Sequence, residues 1–257
     1  MAIDESLIGA LHVQAMRADD LPNGEPPHET FQASTIAALL DGAYDGDVTF
    51  AELAKHGDLG LGTLNGCDGE MIAVDGRFLR ADVDGAVHPV PPTAKTPFAV
   101  LTFFEPRHSF HCAERLTHEQ LLSLIDDRIG HPEQVHALRI DGRFERIRAR
   151  SVPRQQKPYR PLVDVVADQN VFEFGALDGT LVGFRFPDYA QALNVPGYHL
   201  HFVDADRRRG GHVLECTALD VEIAVDDSIG LHAELPPGVE LGAAGTAEAL
   251  DRVEHEG

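Results

Sequence analysis

Three histidines stand where strand geometry can bring them together. In Gly197-Tyr198-His199-Leu200-His201-Phe202-Val203, His199 and His201 are two residues apart, and residues so spaced on a strand project from one face. The chain turns through Asp204 to Gly211 and returns as His212-Val213-Leu214-Glu215-Cys216. If the two strands pair with His201 opposite His212, the three imidazoles converge. Neutral imidazoles on a β-scaffold suit Zn²⁺ or another first-row divalent ion, and three protein ligands leave room for water or a chelating substrate. Cys216 is a fourth candidate ligand. The competing interpretation is a wet strand face, since a chain with 14 histidines contains His-x-His pairs by chance.

A second stretch runs Gly57-Asp58-Leu59-Gly60-Leu61-Gly62-Thr63-Leu64-Asn65-Gly66-Cys67-Asp68-Gly69-Glu70-Met71, with Glu70 opening a strand. By composition alone it is equally a flexible turn cluster. Cys67 is a conceivable nucleophile, but no histidine follows at an activating spacing, which favours small-residue packing. His108 and His111 form His-x-x-His without a third ligand and are expected on the surface or in a loop. His12, His56, His88, His118, His131, His136, His232 and His255 have no spacing partner.

These residues need a scaffold that is α+β, with mixed and antiparallel sheets and few helices. Ser34 to Gly42 is expected to be a helix with a Ser cap and a Gly stop, and Thr49 to cap another over Phe50 to Lys55. A third is expected from Thr117 or His118 through Ile125. Ser6 to Met16 is either a strand or a short helix, and Pro22 to Pro27 a loop. Asp75-Gly76, Asp84-Gly85, Asp141-Gly142 and Asp178-Gly179 are expected to be hairpin turns, because Asp-Gly favours the turn that matches strand twist. Gln155-Gln156-Lys157-Pro158 is the expected junction between an N-terminal domain (1–157) and a β-rich C-terminal domain (158–257) that carries the histidines on a hairpin.

Composition narrows the function classes. With 21 Lys+Arg against 42 Asp+Glu the net charge is −21, which repels a nucleic-acid backbone. A hydrophobic fraction of 43% excludes an intrinsically disordered chain. No apolar run reaches the ~18–20 residues of a membrane span. The first residues lack a secretory pattern, and three cysteines without Cys-x-x-Cys spacing argue against a disulfide framework, so the cytoplasm is the expected compartment. Arginine outnumbers lysine 18 to 3, which GC-rich coding explains without a physical cause; adaptation to a salt-rich cytosol is the alternative. No Gly-rich phosphate loop links a strand to a helix, and no motif for an organic cofactor occurs.

Taken together, several blocks resemble the α-acetolactate decarboxylase family. They are Gly60-Leu61-Gly62-Thr63-Leu64-Asn65-Gly66 with Asp68-Gly69-Glu70-Met71, Arg148-Ala149-Arg150-Ser151-Val152-Pro153, Lys157-Pro158-Tyr159, and Gly197-Tyr198-His199-Leu200-His201-Phe202 with Gly211-His212. They occur in the family's order over most of the chain. The resemblance implies a two-domain α/β fold, often dimeric, and removal of CO₂ from 2-acetolactate to give acetoin. It also implies one divalent metal, usually zinc, on His199, His201 and His212. The family's active-site glutamate and arginine match Glu70 and Arg150, and a substrate-contacting threonine matches Thr63. A further glutamate near the C-terminus matches Glu254 best, with Glu248 and Glu256 as alternatives.

The chemistry fits these residue types. The hydroxyl and ketone of acetolactate can chelate one ion, and a Lewis acid stabilises the charge that develops on the ketone oxygen as CO₂ leaves. The resulting enediolate must then be protonated on one face. Arg150 suits bidentate hydrogen bonding to the substrate carboxylate or the enediolate oxygen. It does not suit proton donation, which a glutamic acid (Glu70 or Glu254) or a water on the metal supplies more easily. The bland alternative for Arg150 is a surface ion pair, the role expected of Arg143, Arg146 and Arg148. Two rival functions remain. A cupin-like metal-dependent oxygenase shares the His-x-His strand but expects a Glu where Asp204-Ala205 stands, and a small-molecule-binding or metal-storage domain leaves Glu70 and Arg150 without a role.

Overall fold

The glycine-rich stretch around Gly60 is a buried strand rather than a flexible turn. In the computed structural model, which describes residues 12–16, 28–191, 193–235 and 247–255, Leu59–Thr63 forms β4, with every residue buried. A Cβ at Gly60 would lie 2.2 Å from the Val100 carbonyl oxygen, and one at Gly62 would lie 2.3 Å from that of Phe98. The glycines therefore let β4 press against its neighbour β9 (Phe98–Thr102). Gly60→Ala is expected to cost about 1–3 kcal/mol through overpacking, read as a lower urea midpoint with unchanged m-value. An unaltered midpoint would mean that β4 and β9 do not approach this closely.

The first sheet has the order β1-β17-β2-β9-β4-β5-β6-β7. Its other strands are β1 (His12–Met16), β2 (Glu29–Ala33), β5 (Glu70–Val74), β6 (Arg77–Ala81), β7 (Val87–Pro89) and β17 (Gly230–Glu234). It is mixed: β17 runs parallel to β1 and β2, whereas β2, β9, β4, β5, β6 and β7 pair antiparallel. A two-stranded ribbon, β3 (Val48–Thr49) with β8 (Lys95–Thr96), lies apart.

The second sheet is antiparallel and built from β10 (His108–Cys112), β11 (Leu116–Thr117), β12 (His136–Ser151), β13 (Asn170–Phe174), β14 (Leu177–Phe186), β15 (Gly197–Asp204) and β16 (Gly210–Asp227). Its pairing closes on itself: β12 pairs with β14 and β16, β14 with β15, and β15 with β16. The Gln155–Pro158 stretch lies between β12 and β13. The second sheet takes strands from both sides of it, and the first sheet takes β17 from beyond it.

The helices are α1 (Ile36–Leu40), α2 (Phe50–Leu53), α3 (His118–Asp126), α4 (Leu162–Val166) and α5 (Ala247–His255). The cap of α1 is Thr35, whose side chain accepts from the Ala38 amide, and not Ser34, which sits at φ +66°. Gly42, at φ +88°, follows the end of that helix as expected. Thr49 caps α2 in a capping box with Glu52, and Thr117 caps α3 with Gln120. The α2 helix is one turn long and stops short of Lys55. Strand β1 resolves the strand-or-helix alternative for His12–Met16; residues 6–11 and 22–27 lie outside the described residues.

The expected Asp-Gly turns divide. Asp75-Gly76 turns between β5 and β6, and Asp84-Gly85 between β6 and β7. Asp141-Gly142 and Asp178-Gly179 instead lie inside strands β12 and β14. A Cβ at Gly142 would meet the Asp220 carbonyl oxygen at 2.2 Å, and one at Gly179 the Phe202 ring at 2.5 Å. Asp141 is held by Arg139 and by Thr180 on the neighbouring strand, at 2.6 Å each. These glycines serve close packing, and the aspartate serves a cross-strand bond.

The sheets share a core. Leu61, Ile72, Val74 and Val100 of the first pack with Val182, Phe184 and Val203 of the second. Leu121 and Ile125 of α3 cover the second sheet's other core, and Phe50 and Leu53 of α2 that of the first. Side chains from β4 and β5 therefore meet side chains from β12, β15 and β16 in one interior.

Candidate active site

Strand register assembles the site. The Asp204 carboxylate accepts the Arg208 and Arg209 amides at 2.7 and 3.1 Å, which pins the β15–β16 hairpin turn. His201 then stands directly opposite His212, and across β16 His212 stands opposite Arg150 of β12. Directly paired residues of antiparallel strands share a face, so a guanidinium and two imidazoles line up across three strands, with His199 two residues along. In the first sheet the pairing of Thr63 with Glu70 likewise puts those two side chains on one face. Glu254 arrives from α5.

All seven residues predicted from sequence line one cavity of about 40 Å³, and all are buried. One ligand atom from each of His199, His201 and His212 lies within 4.8 Å of the others. His201 Nδ1 is 2.8 Å from the Met71 carbonyl oxygen. A carbonyl only accepts, so Nδ1 carries the proton and Nε2 presents its lone pair to the centre. That Nε2 lies 3.3 Å from His199 Nε2. Among the described residues, His199 Nδ1 and Arg150 Nε are buried without a hydrogen-bond partner. Burial holds His201 down to about 3 and keeps His199 and His212 well below the usual imidazole range, so all three are neutral. Three facing, neutral, desolvated imidazoles with a fixed tautomer fit a divalent ion.

The carboxyls flank this group. Glu70 Oε2 is 3.5 Å from His201 Nε2, and its Oε1 is 3.7 Å from Arg150. Glu254 lies 3.5 Å from His212 Nε2 and 3.9 Å from His199 Nδ1. Burial pushes Glu70 up to about 7 against the opposing pull of Arg150. Burial also pushes Glu254 up to about 8, with Arg150 opposing and Glu70 adding. Arg150 donates to the Val253 carbonyl at 2.5 Å, which ties α5 to β12. Thr63 lines the cavity, and its Oγ1 donates to the Gly69 carbonyl at 2.7 Å.

Other candidates fall away. Cys216 is not among the grouped ligand atoms; it packs in the second sheet's core with its sulfur 3.4 Å from His118 Nδ1. The Cys67 thiol is pushed up to about 12, chiefly by burial, as suits packing rather than nucleophilic attack. Arg146 pairs with Glu173 and Glu215 on the surface, as expected. His108 and His111 pair with Asp227 and Asp220. Asp204, at the position where a cupin would need a ligand, is committed to the hairpin turn. The Glu248 side chain and Glu256 lie outside the described residues. Sequence reasoning missed the apolar wall of Ile36, Leu39, Phe98, Val152, Leu162 and Val253. No motif marks these positions, because only tertiary packing turns them toward the cavity.

Fold and cavity together define a β-rich protein in which two sheets enclose a three-imidazole centre with a cation and two carboxyls beside it. Comparison with known proteins makes that class particular. The family model for alpha-acetolactate decarboxylase matches residues 30–244, and the chain belongs to this family. It is 46% identical over 260 residues to an alpha-acetolactate decarboxylase of Methylococcus capsulatus, spanning 100% of this chain and 99% of the relative. One from Methanosarcina mazei is 42% identical over 229 residues, spanning 87% and 79%. The crystal structure of the Bacillus subtilis strain 168 enzyme superposes with a TM-score of 0.84 at 37% identity, covering 88% of this chain and 99% of that one.

Proposed function

We propose that the protein decarboxylates 2-acetolactate to acetoin and CO₂, consuming one proton per turnover, with a divalent first-row metal, zinc foremost, held by His199, His201 and His212. The observation that carries this reading is the convergence of three neutral imidazoles, Arg150 and two protonatable carboxyls in one buried cavity. When bound, the ion supplies Lewis acidity toward the substrate's hydroxyl and ketone oxygens, an effect of several kcal/mol on developing charge.

The protein's own groups supply the rest. Arg150 directs the substrate carboxylate through Nε, the donor that lacks a partner among the described residues. The same guanidinium then faces the negative charge left on the enediolate. Glu254, which burial raises, is placed to hold the proton that the enediolate carbon takes up. Glu70, beside both Arg150 and His201, is the alternative donor. Apolar Phe98, Leu162 and Val253 exclude water, which strengthens these interactions. No organic cofactor is needed. A cytoplasmic homodimer completes the proposal, and sedimentation of a monomer would remove its oligomeric part.

The test is acetoin formation from racemic acetolactate, with and without chelation and zinc restoration. Prompt acetoin that disappears on chelation and returns with zinc is expected. No acetoin from folded, zinc-loaded protein overturns the reaction, and activity indifferent to chelation overturns the metal requirement.

A further inference from the structure

Every residue lining the three-imidazole cavity is buried, with the side chains of Glu70 and His199 each keeping 10% exposure. The cavity measures about 40 Å³. A second cavity of about 230 Å³ lies nearby, lined by His118, Leu122, Pro196, Tyr198, Leu200 and Val213 among others, and it shares Glu254 with the first. His118, Leu122, Pro196 and Tyr198 are each partly exposed, so this cavity reaches the surface.

Strand pairing explains why an opening exists there. β15 and β16 pair only where residues 201–203 meet residues 210–212. Beyond that point β15 continues to Gly197 beside β14, whereas β16 continues beside β12 and β11. The two strands diverge, and α3 covers the wedge with His118 and Leu122. Strand alternation turns Tyr198 and Leu200 away from His199 and His201, and Val213 away from His212. The second cavity therefore occupies the far face of the histidine hairpin, and Glu254, touching both cavities, stands where the hairpin splits.

We propose that this wedge is the passage by which the substrate reaches the buried centre, with Glu254 as its inner gate and Leu122 as the side chain that sets its width. The inference rests on the reading of the protein as an acetolactate decarboxylase. Leu122, Leu200 and Val213 give the passage apolar walls suited to the methyl-bearing end of a small 2-hydroxy-3-oxo acid. His118 supplies a polar group toward the surface, and Arg150 draws the carboxylate inward. Substrate entry by this route moves the Glu254 side chain, because that carboxyl stands between the two cavities.

The test is Leu122→Trp, with Leu122→Phe as the milder plug that carries the experiment if the first does not fold. Two readouts are taken on zinc-loaded protein with unchanged Tm and zinc content: kcat/KM for acetoin formation, and the rate of zinc removal by dipicolinate. Both are expected to fall, at least tenfold for Leu122→Trp and less for Leu122→Phe. A folded Leu122→Trp protein with either rate within twofold of the parent overturns the passage, since a blocked route must slow substrate and chelator alike. If the parent protein forms no acetoin, the decarboxylase reading falls, and dipicolinate access alone then decides the passage.

Discussion

His201→Ala is expected to lower acetoin formation by about 10³-fold or more and to release the bound zinc. The size follows from removing a contribution of about 4 kcal/mol to the stabilisation of developing charge, at 1.36 kcal/mol per tenfold in rate. Of the three imidazoles, His201 has the most fully specified role, since its Nδ1 donates to the Met71 carbonyl and its Nε2 faces both His199 and Glu70. Alanine also removes the buried hydrogen bond to that carbonyl, at a stability cost of about 0.5–1.5 kcal/mol. Zinc content and Tm must therefore be measured beside the rate. Retained zinc with activity within twofold of the parent would exclude His201 as a ligand.

Arg150→Ala is expected to lower kcat/KM by about 10²–10³-fold with zinc content retained. Truncating one partner of a buried, hydrogen-bonded charge pair costs about 2–5 kcal/mol. Here the absent partner is the substrate carboxylate, for which the buried Arg150 Nε is left available. Arg150→Lys keeps the charge but loses the planar fork and is expected to recover only part of the loss. If Arg150 only binds the carboxylate, KM rises and kcat holds; if it also faces the enediolate, kcat falls with kcat/KM. Because Arg150 also donates to the Val253 carbonyl, Tm separates loosening of α5 from loss of substrate contact. Unchanged kinetics in Arg150→Ala would end the substrate role.

The parts of the fold that sequence made legible were local. The capping box at Thr117 announces α3 within a few residues, and Asp75-Gly76 announces its hairpin. Asp141-Gly142 carries the same dipeptide yet runs through the middle of β12, because that segment is paired with β14 and β16 on both sides. A dipeptide carries no information about how many strands will flank it. The cap of α1 was misplaced by one residue for a similar reason: Ser34 takes up a left-handed conformation with its amide bonded to the Glu234 carbonyl, a contact made with β17.

For the site, the three-histidine hairpin was legible in the spacing, with a wet strand face as the alternative until the pairing of His201 with His212 was seen. Strand alternation has a period of two, and a short turn brings the neighbouring strand back, so the convergence of His199, His201 and His212 needs no distant partner. The resemblance added Thr63, Glu70, Arg150 and Glu254 as residues but not their arrangement. Long-range packing alone makes Glu70 face His201 from the other sheet, sets Arg150 of β12 beside His212 of β16, and brings Glu254, 42 residues beyond His212, to the imidazoles from a helix. Such placements come from the collective burial of two sheets against each other, in which no single residue's spacing is informative. The same burial desolvates the imidazoles and carboxyls and so sets which of them hold protons.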